Sequence, residues 1–358
     1  MDTFQSDADQ PEHGHSLAAA RQAAGPVCVL GLGLIGGSLL RCLDAGTAAI
    51  PAAAANTGTA AAAAASPPPR AFGWNRSPAT VDAARAAGHD ASADLPATLE
   101  RARAEDALVV VGVPMPAVAS VLAEVARIHP GAQLTDVVSV KGPVRDAVRA
   151  AGLAAGYVGS HPMAGTNSTG WSATDPELFA GSRWVITSDG GGAESTWRRV
   201  AALGSSTGSR LVTLPADEHD RAVARISHLP HVLAEALAIA GDAGGDAALA
   251  LGAGSFRDGT RVAGTPPDLV RAICEPNAAA LEVALAEAVE ELGASLEQLR
   301  RTGSLGDLVD RGSAGRAAFE ARQGDAGEAP QEITIGAPGW LDAAVAAGRR
   351  GREISVAF

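Results

Sequence analysis

Short unbroken apolar runs alternate with helical patterns over the first half of the chain. Val27-Cys28-Val29-Leu30 has no polar break, the mark of a strand buried on both faces, and a helical apolar repeat follows it through Leu43. The order recurs: Ala71-Phe72-Gly73-Trp74 precedes a helix over 81–87, and further strands are expected at 107–113 and 133–138. Strands alternating with helices predict an α/β fold with a doubly wound parallel sheet. Ser182-Arg183-Trp184-Val185-Ile186-Thr187 reads as the last strand of this domain, glycines 190–192 as a hinge, and 197–203 and 209–214 as a helix and a strand before the architecture changes. From Asp217 helices dominate. Val223, Ile226, Leu233 and Leu237 fall at helical spacing, as do Leu281, Leu285, Val289, Leu292, Leu296 and Leu299. Seams this long in a small domain predict packing against a second copy, hence a homodimer.

Composition narrows the class. A chain of 358 residues, 47% apolar, can bury a sizeable core and is long enough for two domains. Its net charge of −12 and lack of any basic run argue against nucleic acid as a partner. Cys28, Cys42 and Cys274 show neither metal nor disulfide spacing, which suits a reducing cytoplasm, and no metal site is expected. Residues 1–25 are polar and acidic and predict a disordered tail. Residues 47–69 read as a low-complexity insertion whose alanine run is too short and too weakly apolar to span a membrane. Residues 301–358 lack apolar periodicity and stay unassigned.

The candidate chemistry sits where these strands end. Gly31-Leu32-Gly33-Leu34-Ile35-Gly36 follows a strand and opens a helix, the setting in which G-x-G-x-x-G binds a dinucleotide pyrophosphate. This assigns 26–189 to dinucleotide binding, 190–216 to a connection and 217–300 to a helical substrate domain. The second strand ends in Asn75-Arg76-Ser77, where a site for NAD usually places an acidic residue; arginine and small polar donors suit a 2′-phosphate and favour NADP over NAD. An ordinary polar turn before Pro78 is the alternative. Val113 and Pro114, at the end of the next long strand, should border the nicotinamide.

Ser139 ends a further strand, and Lys141 lies two residues on. Of 28 lysines and arginines, only Lys141 is a lysine, so a compact ammonium is wanted there for a ligand or for a local ion pair. His161 stands between Ser160 and Pro162 and is followed by small residues, leaving room for a ligand at a side chain suited to taking a proton near neutral pH, unless it only hydrogen-bonds its own loop in a turn. Ser227-His228-Leu229-Pro230-His231 places two histidines three apart without a further metal ligand at suitable spacing, so one of them in a substrate cleft is the better reading. In Ser255-Phe256-Arg257-Asp258-Gly259-Thr260-Arg261 the carboxylate can neutralise one arginine and leave Arg261 for a substrate anion, unless both arginines serve surface ion pairs.

Together the glycine motif, Asp136-Val137-Val138-Ser139-Val140-Lys141, His161-Pro162-Met163-Ala164-Gly165-Thr166, Ser227-His228-Leu229-Pro230-His231 and Phe256-Arg257-Asp258-Gly259-Thr260-Arg261 resemble, in order, the blocks of the prephenate dehydrogenase family. The resemblance implies a Rossmann domain followed by an all-α dimerisation domain, and NAD(P)-dependent oxidative decarboxylation of prephenate in tyrosine biosynthesis. It puts the catalytic histidine at His161, its partner serine at Ser139, the carboxylate-binding arginine at Arg261 and a second cleft histidine at His231; Lys141, Thr166 and Asn167, beside these positions, are further candidates for substrate binding. Asn167 stands where some relatives carry glutamate, which favours prephenate over arogenate. A β-hydroxyacid dehydrogenase shares the glycine-rich start, but its acid-base lysine lies in the second domain, and this chain has no lysine after Lys141. A non-catalytic NADP-sensing module would bind cofactor without turnover.

Overall fold

A computed structural model describes residues 12–48, 71–166, 168–189, 191–324 and 328–358. The chain divides after Pro215 and again after Gln331, so the C-terminal segment returns to the first unit.

In the first unit, β1 (Val27–Leu30), β2 (Ala71–Trp74), β3 (Ala91–Ser92), β4 (Leu108–Val111) and β5 (Leu134–Asp136) form a sheet of order β3-β2-β1-β4-β5. Its pairs are parallel, with Val27 opposite Ala71 on one side and Leu108 on the other. Helices cover both faces, which is why β1, β2 and β4 are apolar runs rather than alternating ones. Ser77 and Asp94 cap two of these helices, each followed closely by a proline whose missing N–H costs nothing there. The expected fold class holds.

A second sheet continues from the first. Leu134 bridges to Tyr157, and the Val158 amide donates to the Leu134 carbonyl at 2.9 Å. Then come β6 (Ser160–Pro162), β7 (Arg183–Thr187), β8 (Arg210–Leu214), β9 (Gln331–Ile333) and β10 (Ile354–Val356), in the order β6-β7-β8-β10-β9. The strand at 183–187 is therefore not the last of its unit. Nor is 190–216 a free connection: it holds helix Glu194–Ser206 and β8, and a Cβ on Gly192 would lie 2.5 Å from the Tyr157 carbonyl oxygen, so that backbone is wedged rather than hinged. Gly190 lies outside the described residues.

Two further expectations change. The tail expected over 1–25 contains helix Glu12–Ala24, which buries Ala20 and Ala24 and whose end is held by Arg199, donating to Ala24 and Pro26 carbonyls. It packs through alanine, so no stripe of large apolar residues marks it. The unassigned end carries helix Trp340–Arg349, with the Trp340 ring edge-on to Trp197 at 4.8 Å. Most of the 47–69 insertion lies outside the described residues.

The second unit is helical: Ala216–Val223, Leu229–Ala243, Gly254–Thr260, Pro267–Cys274, Ala278–Thr302 and Leu308–Gly324 are its longer helices. Little of it is buried, and Ile226, Leu237, Ile239, Val289, Leu292, Leu296 and Leu299 are exposed in the single chain. Among the described residues no helix is long and apolar enough to cross a membrane.

Candidate active site

At the end of β1 the chain turns into helix Leu34–Ala48. Gly31 has φ +112°, and a Cβ there would stand 2.7 Å from the Gly112 carbonyl group and 2.8 Å from the Val113 nitrogen. A Cβ on Gly36 would fall 1.9 Å from the Gly31 oxygen. Both positions are closed to any larger residue. Gly33 differs, for nothing lies within 4 Å of its Cβ position, so its backbone is open to a ligand. Open backbone at the positive end of a helix fits a dinucleotide pyrophosphate. Leu34 and Ile35 are half-buried, whereas Leu32 is fully buried and offers a ligand no side-chain surface.

Past β2, Asn75 Oδ1 accepts from the Ser77 amide at 2.9 Å, and Ser77 Oγ accepts from Thr80 at 3.4 Å to cap helix Pro78–Ala86. Arg76 is exposed between them and has no ion pair among the described residues. Pro114 is exposed as the N-cap of helix Met115–Ile128, with Val113 buried beside the glycine turn.

His161 lies on β6, opposite Val185 of β7, and is half-buried. Past it the Met163 amide donates to Arg183 at 2.7 Å, and Gly165 has open space around it. Ser139, half-buried, stands in the turn beyond β5. The two segments are tied together: Ser160 Oγ donates to the Asp136 carbonyl at 2.7 Å. The loop after His161 docks on the helix of the glycine motif, with Arg41 donating to Thr174 and the Asp175 amide to Ser38 Oγ at 2.9 Å. Thr166 is exposed and accepts from the Ser168 amide at 3.2 Å; Asn167 lies outside the described residues.

Lys141 requires a correction. It is wholly buried, its ammonium paired with Asp136 and donating to the Ser160 carbonyl at 2.6 Å. A side chain without exposed surface cannot meet a substrate, and the local ion pair is the reading that holds. Asp136 and Tyr157, which the sequence reading passed over, complete this cluster.

In the second unit, Pro230 has no N–H to give and crowds the turn before it, and the helix widens there into a π-turn over Ala224–His228. His228 is wholly buried. Its Nδ1 accepts from Asn277 Nδ2 at 3.2 Å, and the same amide donates to the Asp220 carbonyl at 2.8 Å. Accepting at Nδ1 leaves the proton of the neutral ring on Nε2, which has no partner among the described residues. Burial, against an opposing pull from Asp220, brings the ring down to about 4, so it stays neutral at physiological pH. His231 is half-buried with Nδ1 likewise unpartnered. Arg261 begins a tight turn after helix Gly254–Thr260; it and Arg257 are exposed and carry no ion pair among the described residues, so the expected neutralisation by Asp258 is not made. Asn277 lies far from the histidines in sequence and carried no signal of its own.

The cysteines do not compete as nucleophiles, because burial pushes the Cys28 and Cys42 thiols up and Cys274 up to about 11.

A parallel sheet with an open glycine turn at a helix N-terminus, followed by a helical unit, defines a dinucleotide-binding protein of the two-domain dehydrogenase type. Residues 67–213 match the family model "Prephenate dehydrogenase, nucleotide-binding domain" and 215–307 match "Prephenate dehydrogenase, dimerization domain". The chain belongs to the prephenate dehydrogenase family. A solved structure from Corynebacterium glutamicum, described as a candidate prephenate dehydrogenase, is 43% identical, with TM-score 0.83 and coverage of 93% of this chain and 99% of that one. Synechocystis arogenate dehydrogenase is 26% identical, with TM-score 0.64 over 82% of this chain and 99% of that one. Prephenate dehydrogenase of Lactococcus lactis is 29% identical over 166 residues, 44% of either protein. The chain spans under half the length of the curated relatives it matches.

Proposed function

We propose that the chain catalyses the NADP-dependent oxidative decarboxylation of prephenate to 4-hydroxyphenylpyruvate. What supports this most is the junction of β5 and β6: it joins a serine turn to a strand-held histidine at the carboxyl edge of a doubly wound sheet, where such sheets bind ligands. When bound, the nicotinamide dinucleotide supplies the hydride acceptor. The backbone of the Gly31, Gly33 and Gly36 turn would hold its pyrophosphate, and Arg76 with Asn75 and Ser77 would hold a 2′-phosphate.

His161 takes the proton of the ring 4-hydroxyl as hydride departs from the same carbon, and Ser139 orients that hydroxyl. Arg261 holds a substrate carboxylate through its planar fork, with His231 as a second polar contact. Departure of CO2 makes the ring aromatic, so the step does not run backwards to any useful extent. The exposed leucines of the long helix Ala278–Thr302 are covered by a second copy in a homodimer, and the buried free thiols suit the cytoplasm.

Arogenate is the second reading. Asp175 and Glu177 are exposed on the loop after His161, where a carboxylate can pair with the substrate ammonium. Initial rates of reduced-nicotinamide formation, with prephenate and arogenate each paired with NAD and NADP, separate these. Prephenate with NADP is expected to be fastest; no turnover in any of the four pairings would overturn the assignment.

A further inference from the structure

The only lysine and the only tyrosine of the chain end on one carboxylate. Asp136, the last residue of β5, accepts at Oδ1 from the Lys141 ammonium and from the Val138 amide at 2.9 Å, and at Oδ2 from the Tyr157 hydroxyl at 2.7 Å. Its own carbonyl accepts from Ser160 Oγ, whose hydroxyl oxygen accepts in turn from Thr135 at 3.1 Å. Lys141 also reaches the Ser160 carbonyl, the peptide group directly before His161. Asp136, Lys141, Tyr157 and Ser160 are all at most 1% exposed.

Each bond grips one of two elements. The bond to Val138 shapes the turn that presents Ser139; those to Ser160 hold the backbone that presents His161. Stability alone does not call for such a cluster, because well-packed apolar residues of similar volume are often as stable as a buried ion pair. Lys141 moreover stands at the N-cap of helix Gly142–Ala150, where a cation meets the positive end of the helix dipole. An arginine, used at every other cationic position, has a broad planar head, whereas a compact ammonium can point separate N–H groups at a carboxylate and a carbonyl.

We propose that Asp136, Lys141 and Tyr157 are positioning residues: a buried cross-brace that sets His161 against Ser139 for proton transfer. The inference rests on the reading of His161 as the proton acceptor.

The test uses the full chain carrying Asp136→Asn with Lys141→Met, which removes both charges but keeps an acceptor for Val138, and separately Tyr157→Phe. Four quantities are read: the melting temperature, the cofactor Kd, kcat and KM over pH, and the titration of the His161 ring by NMR, assigned with His161→Asn. The double variant should melt within a few degrees of the wild type and hold cofactor within about twofold. Its kcat should fall roughly 10- to 100-fold with KM changed by less than about threefold, since sub-ångström to ångström misplacement acts on the rate rather than on binding. The His161 resonance and its midpoint should both move. Tyr157→Phe should show the same pattern at roughly 3- to 10-fold, and it decides the matter if the double variant does not fold. Wild-type kcat with an unmoved His161 resonance in a folded variant overturns the proposal. If the wild type itself turns over neither substrate, the activity reading fails, while the His161 titration still tests the brace.

Discussion

His228 ought to make the helical unit acid-sensitive in a calculable way. It is wholly buried, and burial holds its ring at about 4 against an ordinary value near 6.5. Below about pH 6.5 the unfolded chain takes up a proton that the folded chain refuses, so stability is full above that point, declines as pH falls and levels off once the folded ring also protonates near 4. At about 1.4 kcal/mol for each unit of separation the total is about 3 kcal/mol, and at pH 5 the loss is about 2 kcal/mol. The tryptophans at 74, 171, 184, 197 and 340 all lie in the first unit, so their fluorescence follows that unit, while far-ultraviolet circular dichroism also sees the helices of the second. Urea titrations near pH 7.5 and pH 5 should lose the expected amount in a dichroism transition that fluorescence does not share. His228→Asn, whose side-chain oxygen takes the place of Nδ1 before Asn277, should flatten that loss. An equal loss in wild type and variant, or one confined to fluorescence, would mean that the His228 ring is not the buried neutral group responsible.

Two other substitutions probe the two units. Gly36→Ala drives a Cβ into the Gly31 carbonyl, a backbone atom that cannot step aside, so the unfolding free energy should fall by about 3 kcal/mol and cofactor affinity with it; an unchanged unfolding free energy in urea titration counts against the close strand-helix contact. If Arg261 holds a substrate carboxylate as proposed, Arg261→Ala should raise the substrate KM on the order of 10- to 100-fold with kcat little altered, because such a charge-assisted contact is kept throughout the reaction. A change confined to kcat in steady-state assays would deny it that role.

Most of the first sheet was legible because β1, β2 and β4 are buried on both faces and therefore written as apolar runs, and because Gly31 and Gly36 each answer a steric demand while Gly33 leaves its backbone open. Helix Glu12–Ala24 was not, since alanine packs closely without an apolar stripe. The return of 332–358 to the first unit was hidden for a different reason: β9 and β10 are three residues each, and β10 owes its place to β8, far away in sequence, with Ile354 opposite Leu211. Lys141 was conspicuous as a residue and ambiguous as a role. Its partner Asp136 sits in a strand, and nothing in a linear sequence says which way an ammonium turns. The same holds for His228, whose tautomer is set by Asn277, 49 positions later.

If the imidazole at 161 accepts the proton released as hydride leaves, its loss must show in the turnover of prephenate by His161→Asn beside the wild type, with cofactor binding measured in parallel. A fall in kcat of roughly 10²- to 10⁴-fold with cofactor Kd within about twofold is the expected result. Turnover equal to that of the wild type would contradict it.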